Sequence, residues 1–321
     1  MRCDARHLPS HLCYATRPAR VIIKALIIIK PSADADARQG LLELLNSHFT
    51  THRMDYEVYE TRKGDRLGEI VRGRLHDGFD LVVAAGGDGT VSGVSDGLIG
   101  STIPLGIIPM GTGNLLAREL QISEQPEVAI ALLIRQPRMI QIDAMRIGTR
   151  AYVLNASVGI SAAVIGETTR KNKGRFGRAA YLGTAILKVI ANRPSYLVVE
   201  VDGTVHPVRA VEVTIMNCGL LAKTLYPQEP AIRLDDGHLG VWILSMKTFW
   251  GYLRYAFGVA TGTTVKPEAQ FFRVKKSVSI RCRSSLPVQA DGDLIGTTPV
   301  EVHVLPGALT VVVPALPETA D

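Results

Sequence analysis

Leu81–Leu98, LVVAAGGDGTVSGVSDGL, is the stretch on which the reading of this chain turns. An apolar run of strand character stops at Gly86 and Gly87. Asp88 then sits between glycines, and Gly89-Thr90 opens a segment of helical spacing. Glycine lets the backbone come close to a ligand, and the amino end of the following helix adds a partial positive charge. Strand, glycine turn and helix together form a setting in which backbone N–H groups can hold phosphate. There Asp88 either faces a magnesium ion or its water, or fixes the loop by accepting N–H bonds. Thr90 can donate its hydroxyl to a phosphate oxygen. The same residues also read as a tight strand–helix turn that needs glycine for steric reasons. Neither G-x-x-x-x-G-K-[ST] nor G-x-G-x-x-G occurs.

A second loop repeats the design. IIPMGTGNLLARE, Ile107–Glu119, runs from an apolar strand through Gly111-Thr112-Gly113-Asn114 into a helix. An Asn114 N-cap after a glycine turn explains part of it. Loops at the carboxyl ends of neighbouring parallel strands line one sheet edge, where ligands bind. Two such loops after successive strands can clamp one polyphosphate.

Outward from these loops the pattern alternates. VIIKALIIIK, YEVYET, DLVVAAGG and IPLGIIPMG read as strands. ARQGLLELLNSHF, RLGEIVRGRLHDG, GTVSGVSDGLIG and NLLARELQI read as helices. Nearly continuous apolar strands between helices predict a doubly wound parallel sheet over residues 20–138. From 139 to 321 the texture changes to short strands with turn signals at Gly148 and Asp202-Gly203, which predicts mostly antiparallel β structure, a β-sandwich or an open barrel. FWGYLRYAFGVATG is the only further helix expected beyond a basic one over about 161–191. The last strand is expected to pack back on the first domain. Residues 1–19 show no period and read as a loose extension.

The chain has 321 residues, 46% hydrophobic and 21% charged, enough to bury a sizeable core. Its net charge of +6 suits an anionic partner. Cys3, Cys13, Cys218 and Cys282 form no C-x2-C pair, which argues against a zinc site and for a reducing, cytoplasmic compartment. No apolar run is long enough to span a bilayer. The basic stretch with Arg170, Lys171, Lys173, Arg175 and Arg178 is either a solvated helix face or a patch for peripheral contact with an anionic membrane surface. No nucleic-acid motif is present, so nucleic acid is not an expected partner. A homodimer is left open.

GGDGT followed by PMGTGN resembles the diacylglycerol kinase catalytic domain, a family that includes bacterial diacylglycerol kinases and sphingoid-base and ceramide kinases. RLDDGHLGVWIL (Arg233–Leu244) and LPVQADGDLIGTTPVEVHVLPGALTVVVP (Leu286–Pro314) extend the resemblance to residues 20–314. It implies an NAD kinase-like first domain and ATP held by Gly86, Gly87, Asp88, Gly89, Thr90, Ser92, Gly111, Thr112, Asn114 and Thr61. Lys30 or Ser32 replaces a contact that the family's usual N-P-x-[SA]-G turn would make; here the turn is Lys30-Pro31-Ser32-Ala33-Asp34. It implies a Mg²⁺ ion at LDDG, bound by Asp236 and the carbonyls of Arg233 and His238. That turn equally reads as a plain Asp-Gly turn. The resemblance implies that Asp293, or its neighbour Asp291, takes the proton of a lipid hydroxyl. The family commonly has glutamate where Asp293 stands. The activity expected is phosphate transfer from ATP to diacylglycerol or a related lipid. A sphingoid-base or ceramide kinase, an NAD kinase and a nucleotide-bound lipid sensor without turnover are the alternatives.

Overall fold

The structure, a computed structural model, describes residues 16–17, 24–30, 35–134, 138–163, 165, 194–226, 231–245 and 269–315. Two compact units divide the chain. The first comprises residues 1–143 with 306–321, and the second Ala144–Leu305. The sequence pattern placed the change at Arg138, where the texture alters. The structural division falls at Asp143, inside an unbroken strand, because strands can cross a domain limit without any change of period.

In the first unit, β1 (Thr16–Arg17) precedes β2 (Lys24–Ile29), α1 (Ala35–Thr51) and β3 (Asp55–Glu60). Then come α2 (Leu67–Gly73), β4 (Leu81–Gly86), α3 (Asp88–Leu98), β5 (Leu105–Pro109), α4 (Leu115–Glu119) and α5 (Pro126–Ile134). β5, β4, β2 and β3 lie side by side in that order, all parallel. Every residue of β4 and β5 is buried, as expected of strands covered on both faces. β3 closes the edge, and its Val58 is exposed. α3 buries Thr90 through Leu98 and packs on α2 through small residues: a Cβ on Gly97 would stand 2.6 Å from Val71 Cβ.

Among the described residues, two helices went unpredicted. α5 is apolar on nearly all sides, so it lacks the amphipathic stripe by which a helix is recognised. Its one signal is Pro126 at the first helical position. The second, in the other unit, is α6 below. RLGEIVRGRLHDG, in contrast, is helical only over its first half.

The second unit begins within β6 (Arg138–Ile147), which pairs with β7 (Arg150–Tyr152) around Gly148 at φ 60°. β8 (Asn155–Gly159), β9 (Ser195–Val201), β10 (Thr204–Ala210) and β11 (Glu212–Met216) follow, then α6 (Gly219–Leu225). The remaining strands are β12 (Leu239–Leu244), β13 (Ala269–Val274), β14 (Ser277–Cys282), β15 (Pro287–Ala290), β16 (Asp293–Thr297) and β17 (Val300–Val313). One antiparallel layer runs β13-β12-β11-β8-β15-β16. Facing it are β10, β9, β14 and the first part of β17. Alternate residues of both layers, among them Val158, Val199, Ile215, Val241, Ile280 and Val302, fill one core. This is a β-sandwich. α6 shields the other face of the first layer, where Tyr226 stacks on Trp242 with ring centres 5.1 Å apart. FWGYLRYAFGVATG, predicted to be the only further helix, lies outside the described residues; α6 is a helix that prediction missed, only seven residues long and held by tertiary packing.

The second part of β17 belongs to the first unit. It lies parallel to β5, with Val311 opposite Leu105. Buried Asp143 accepts the Gly307 N–H at 2.7 Å, and Gln141 Nε2 donates to the Gly307 carbonyl. These bonds fix the returning segment at Gly307, whose φ is 55°.

Candidate active site

The parallel registers bring four strand ends to one edge. Ile29 lies opposite Glu60 and Ala85, and Gly86 lies opposite Pro109. Lys30, Thr61, Gly87 and Met110 are therefore the first residues beyond neighbouring strands, and Gly111 follows Met110. Lys30 is exposed, and its N–H is donated to the Ala85 carbonyl. Thr61 donates its N–H to the Ile29 carbonyl and lines a surface cavity with Val58, Tyr59, Glu60 and Arg62. Asp65 holds the loop that carries Thr61, since its carboxylate accepts both the Arg62 N–H at 2.7 Å and the Tyr59 hydroxyl at 2.9 Å. These bonds draw the Asp65 carboxyl below its ordinary value, the Arg62 amide first and the Tyr59 hydroxyl next.

The two glycine loops are knitted together. Met110 donates its N–H to the Gly86 carbonyl at 2.9 Å. Gly87 and Gly111 touch backbone to backbone, so that a Cβ on Gly111 would come within 2.6 Å of Gly87 Cα. Gly86 makes room for Thr90, whose Oγ1 stands 2.5 Å from where a Cβ would be. Asp88 Oδ1 accepts the Leu115 N–H at 2.6 Å, across to the start of α4. Of the two roles open to Asp88, the structure thus shows the loop-fixing one. Asn114 is not the side-chain cap expected of it. It lies in the left-handed region (φ 47°, ψ 42°) and closes a ring on Gly111, accepting its N–H and donating to its carbonyl, both at 2.9 Å. Asp88 caps α4 in its place. Gly89, Gly111 and Thr112 remain exposed, whereas Thr90, Ser92 and Asn114 are buried. Ser32 lies outside the described residues.

In the second unit, Asp291-Gly292 forms the two-residue turn between β15 and β16, and Ala290 faces Asp293 across it. Both turn residues have positive φ, 47° and 88°, as a type I′ hairpin requires. The Asp291 carboxylate accepts three backbone N–H groups at 3.0 Å, those of Val153, Leu154 and Asn155. The segment so gripped is held from elsewhere by Asn217, which donates its side-chain amide to the Val153 carbonyl. Asp293 is exposed, one residue past the turn. The sequence could not separate the two carboxylates; the hairpin does, making one a brace and leaving the other in water.

The LDDG turn is likewise locally braced. Arg233 forks onto Asp235, with Nε 2.9 Å from Oδ1 and a terminal nitrogen 3.2 Å from Oδ2. Asp236 Oδ1 accepts the His238 N–H at 3.0 Å, and the Asp236 carbonyl meets the His238 ring. Among the described residues no three His, Cys, Asp or Glu side chains gather where a metal could sit. The turn offers one carboxylate and backbone carbonyl oxygens. That donor set fits only a hard cation that keeps most of its water.

Residues 24–147 match the family model described as the diacylglycerol kinase catalytic domain. Residues 155–313 match the YegS C-terminal NAD kinase beta sandwich-like domain. The chain belongs to the diacylglycerol kinase catalytic-domain family. A diacylglycerol kinase of Staphylococcus carnosus is 26% identical over 284 residues, covering 86% of this chain and 90% of that one. An uncharacterized protein of Synechocystis is 28% identical over 334 residues, covering 97% of this chain and 76% of its own length. A solved diacylglycerol kinase of Bacillus anthracis has the same fold, with a TM-score of 0.72 at 20% identity over 91% of this chain and 97% of that one. Membership in this lipid-kinase family makes the chain a phosphotransferase, and a kinase family implies ATP as donor.

Sequence reasoning passed over Asp65 and Gln289 in this lipid kinase. Asp65 had a signal, the K-G-D ending of its loop, since aspartate beside glycine often closes a turn through its side chain. Gln289 had none, because a glutamine in a strand looks like any solvated polar residue until its burial is known. The basic stretch Arg170–Arg178 lies outside the described residues. Among the described residues no helix is long and apolar enough to cross a membrane.

Proposed function

We propose that this protein is an ATP- and Mg²⁺-dependent kinase that phosphorylates the primary hydroxyl of diacylglycerol or a closely related lipid. The first unit supplies the donor site. N–H groups of the exposed loop residues about Gly89 and Thr112, with the Lys30 ammonium and the Thr61 hydroxyl, bind phosphate oxygens. The second unit supplies the proton acceptor. Asp293 takes the proton of the lipid hydroxyl as its oxygen bonds to the γ-phosphorus, and the bond to the β–γ bridging oxygen breaks to leave ADP. Asp236, with the Arg233 and His238 carbonyls, would hold a hydrated magnesium ion, which when bound neutralises negative charge. The lipid is reached at a membrane surface from the cytoplasmic side, a partner to which the net charge of +6 is suited.

The observation that carries this reading is the division of labour at the hairpin. Asp291 spends its carboxylate on three amides and thereby holds Asp293 exposed at a fixed place. Radiolabelled ATP and magnesium, offered with vesicles carrying diacylglycerol, ceramide or sphingosine and separately with NAD, test it. Label in phosphatidic acid is expected. Label in ceramide phosphate or sphingosine phosphate would move the acceptor within the family. Label in NAD alone, or in nothing, would reject a lipid kinase.

A further inference from the structure

Behind the Asp291-Gly292 turn runs a buried polar chain that the proposed reaction does not use. Gly292 donates its N–H to Gln289 Oε1 at 3.0 Å. Gln289 Nε2 donates to Ser157 Oγ, also at 3.0 Å. Ser157 and Glu212 are joined by a further side-chain hydrogen bond, and Glu212 accepts the Ser161 N–H at 3.0 Å. Gln289, Ser157 and Glu212 are 2%, 1% and 4% exposed. They come from three adjacent strands, β15, β8 and β11, and Gln289 lies directly opposite Ser157 in the ladder.

The direction of the chain is fixed at the turn. A backbone N–H can only donate, so it must meet the oxygen of the Gln289 amide. The amide nitrogen then faces Ser157, whose oxygen accepts, which leaves the Ser157 hydroxyl to donate to the Glu212 carboxylate when Glu212 is ionised. Every donor then points from the turn towards Glu212. Hydrogen bonds aligned in this way polarise and strengthen one another in a dry interior. Between Val288 and Gln289 the register of β15 against β16 shifts by a bulge, a device that re-aims side chains beside a turn. Nothing in strand pairing itself requires a buried glutamine here, and a buried polar group left without a partner is costly.

We propose that Gln289 is a positioning residue for this kinase, which with Ser157 and Glu212 behind it sets the angle of the Asp291–Asp293 hairpin and hence the place of the Asp293 carboxylate. Asp291 anchors the turn from one side, through the amides of Val153–Asn155. Gln289 anchors it from the other, through the Gly292 amide. The inference rests on the proposed role of Asp293.

Two substitutions test it. Gln289→Met keeps volume and removes both hydrogen bonds. Ser157→Ala leaves the glutamine and breaks the chain one step further from the turn. In each, melting temperature, kcat, KM for ATP and the exchange rate of the Gly292 amide are measured on the full chain. A lateral error of an ångström at a reacting group costs up to about 100-fold in rate. The expected result is a kcat about 10- to 100-fold lower in both variants, KM for ATP unchanged, and faster Gly292 exchange. Unchanged Gly292 exchange in Gln289→Met overturns the proposal. So does a kcat that falls only as far as the folded fraction falls. If the wild-type chain labels no lipid at all, it is the kinase reading that fails, and Gly292 exchange in the two variants still decides whether the chain holds the turn.

Discussion

Asp88 and Asp291 occupy turns of similar composition in unlike surroundings. Asp88 follows a parallel strand and starts a helix, and its carboxylate reaches the Leu115 amide of the neighbouring loop. Asp291 sits at a hairpin tip, and its carboxylate gathers three amides of the segment that leads into β8. In both places the aspartate braces. What each brace presents is different. The first holds two glycine loops whose exposed parts are backbone, suited to phosphate oxygens. The second holds a further carboxylate, Asp293, suited to a proton. The pair shows how an aspartate in a glycine-rich motif can serve by fixing the backbone around it.

If this division is right, Asp293→Asn has the largest effect. A well-placed proton acceptor contributes about 10²- to 10⁴-fold, and kcat is expected to fall by that much. ATP binding by calorimetry and the melting temperature should not move, because Asp293 is exposed. An Asp293→Asn enzyme of normal kcat would erase the contrast between the two turns.

Asp291→Ala is expected to act on stability first. It strips an anionic acceptor from three N–H groups and places alanine at φ 47°, a region it dislikes. A loss of about 3 kcal/mol in urea unfolding follows from hydrogen bonds to a charged group. Asp291→Asn, which tolerates that φ and keeps one accepting oxygen, should lose less. Equal losses in the two variants would mean that the carboxylate is not the brace.

Glu212 gives a pH test of the chain behind the hairpin. Burial is the main cause that pushes its carboxyl from 4.5 up to about 7, against the lowering effect of its bonds to Ser161 and Ser157. The folded protein thus keeps a proton that the unfolded chain releases. The stability this contributes is complete below pH 4.5 and is lost as pH rises through about 7. It amounts to something on the order of 3 kcal/mol. Glu212→Gln cannot titrate, so its unfolding free energy, compared with wild type from pH 4.5 to 8, should lack that fall. Parallel curves would place the proton elsewhere.

These contrasts also mark how far the sequence could be read. The parallel sheet and both glycine loops were legible because strand hydrophobicity and glycine placement are local signals, visible in LVVAAGG and IIPMG. The antiparallel second half, a sandwich or an open barrel, was legible from alternation and Asp-Gly turns, of which Asp202-Gly203 is one, at φ 48° and 90°. Which oxygen of which aspartate meets which amide was not. Leu115 is 27 residues from Asp88, and Val153 is 138 from Asp291. No periodicity encodes such distances. α5 and α6 escaped for a related reason, since tertiary burial rather than an amphipathic stripe holds them.

Gly89→Ala has the smallest expected effect on stability and the sharpest use. Gly86, Gly87 and Gly111 are required by contacts inside the protein, but a Cβ on Gly89 would meet nothing within 4 Å. Gly89 is exposed, in the first turn of α3. Alanine there is a better helix former, by up to about 1 kcal/mol in a helix interior and less at an end. The melting temperature should hold or rise slightly. The one reason left for glycine is close approach of a ligand to the backbone. If phosphate oxygens come to this amide, the added methyl raises KM for ATP while leaving the fold intact. If KM for ATP and stability both stay at wild-type values, nucleotide does not approach the α3 end of the loop. The donor cradle would then be confined to Gly111-Thr112 and the ends of β2 and β3.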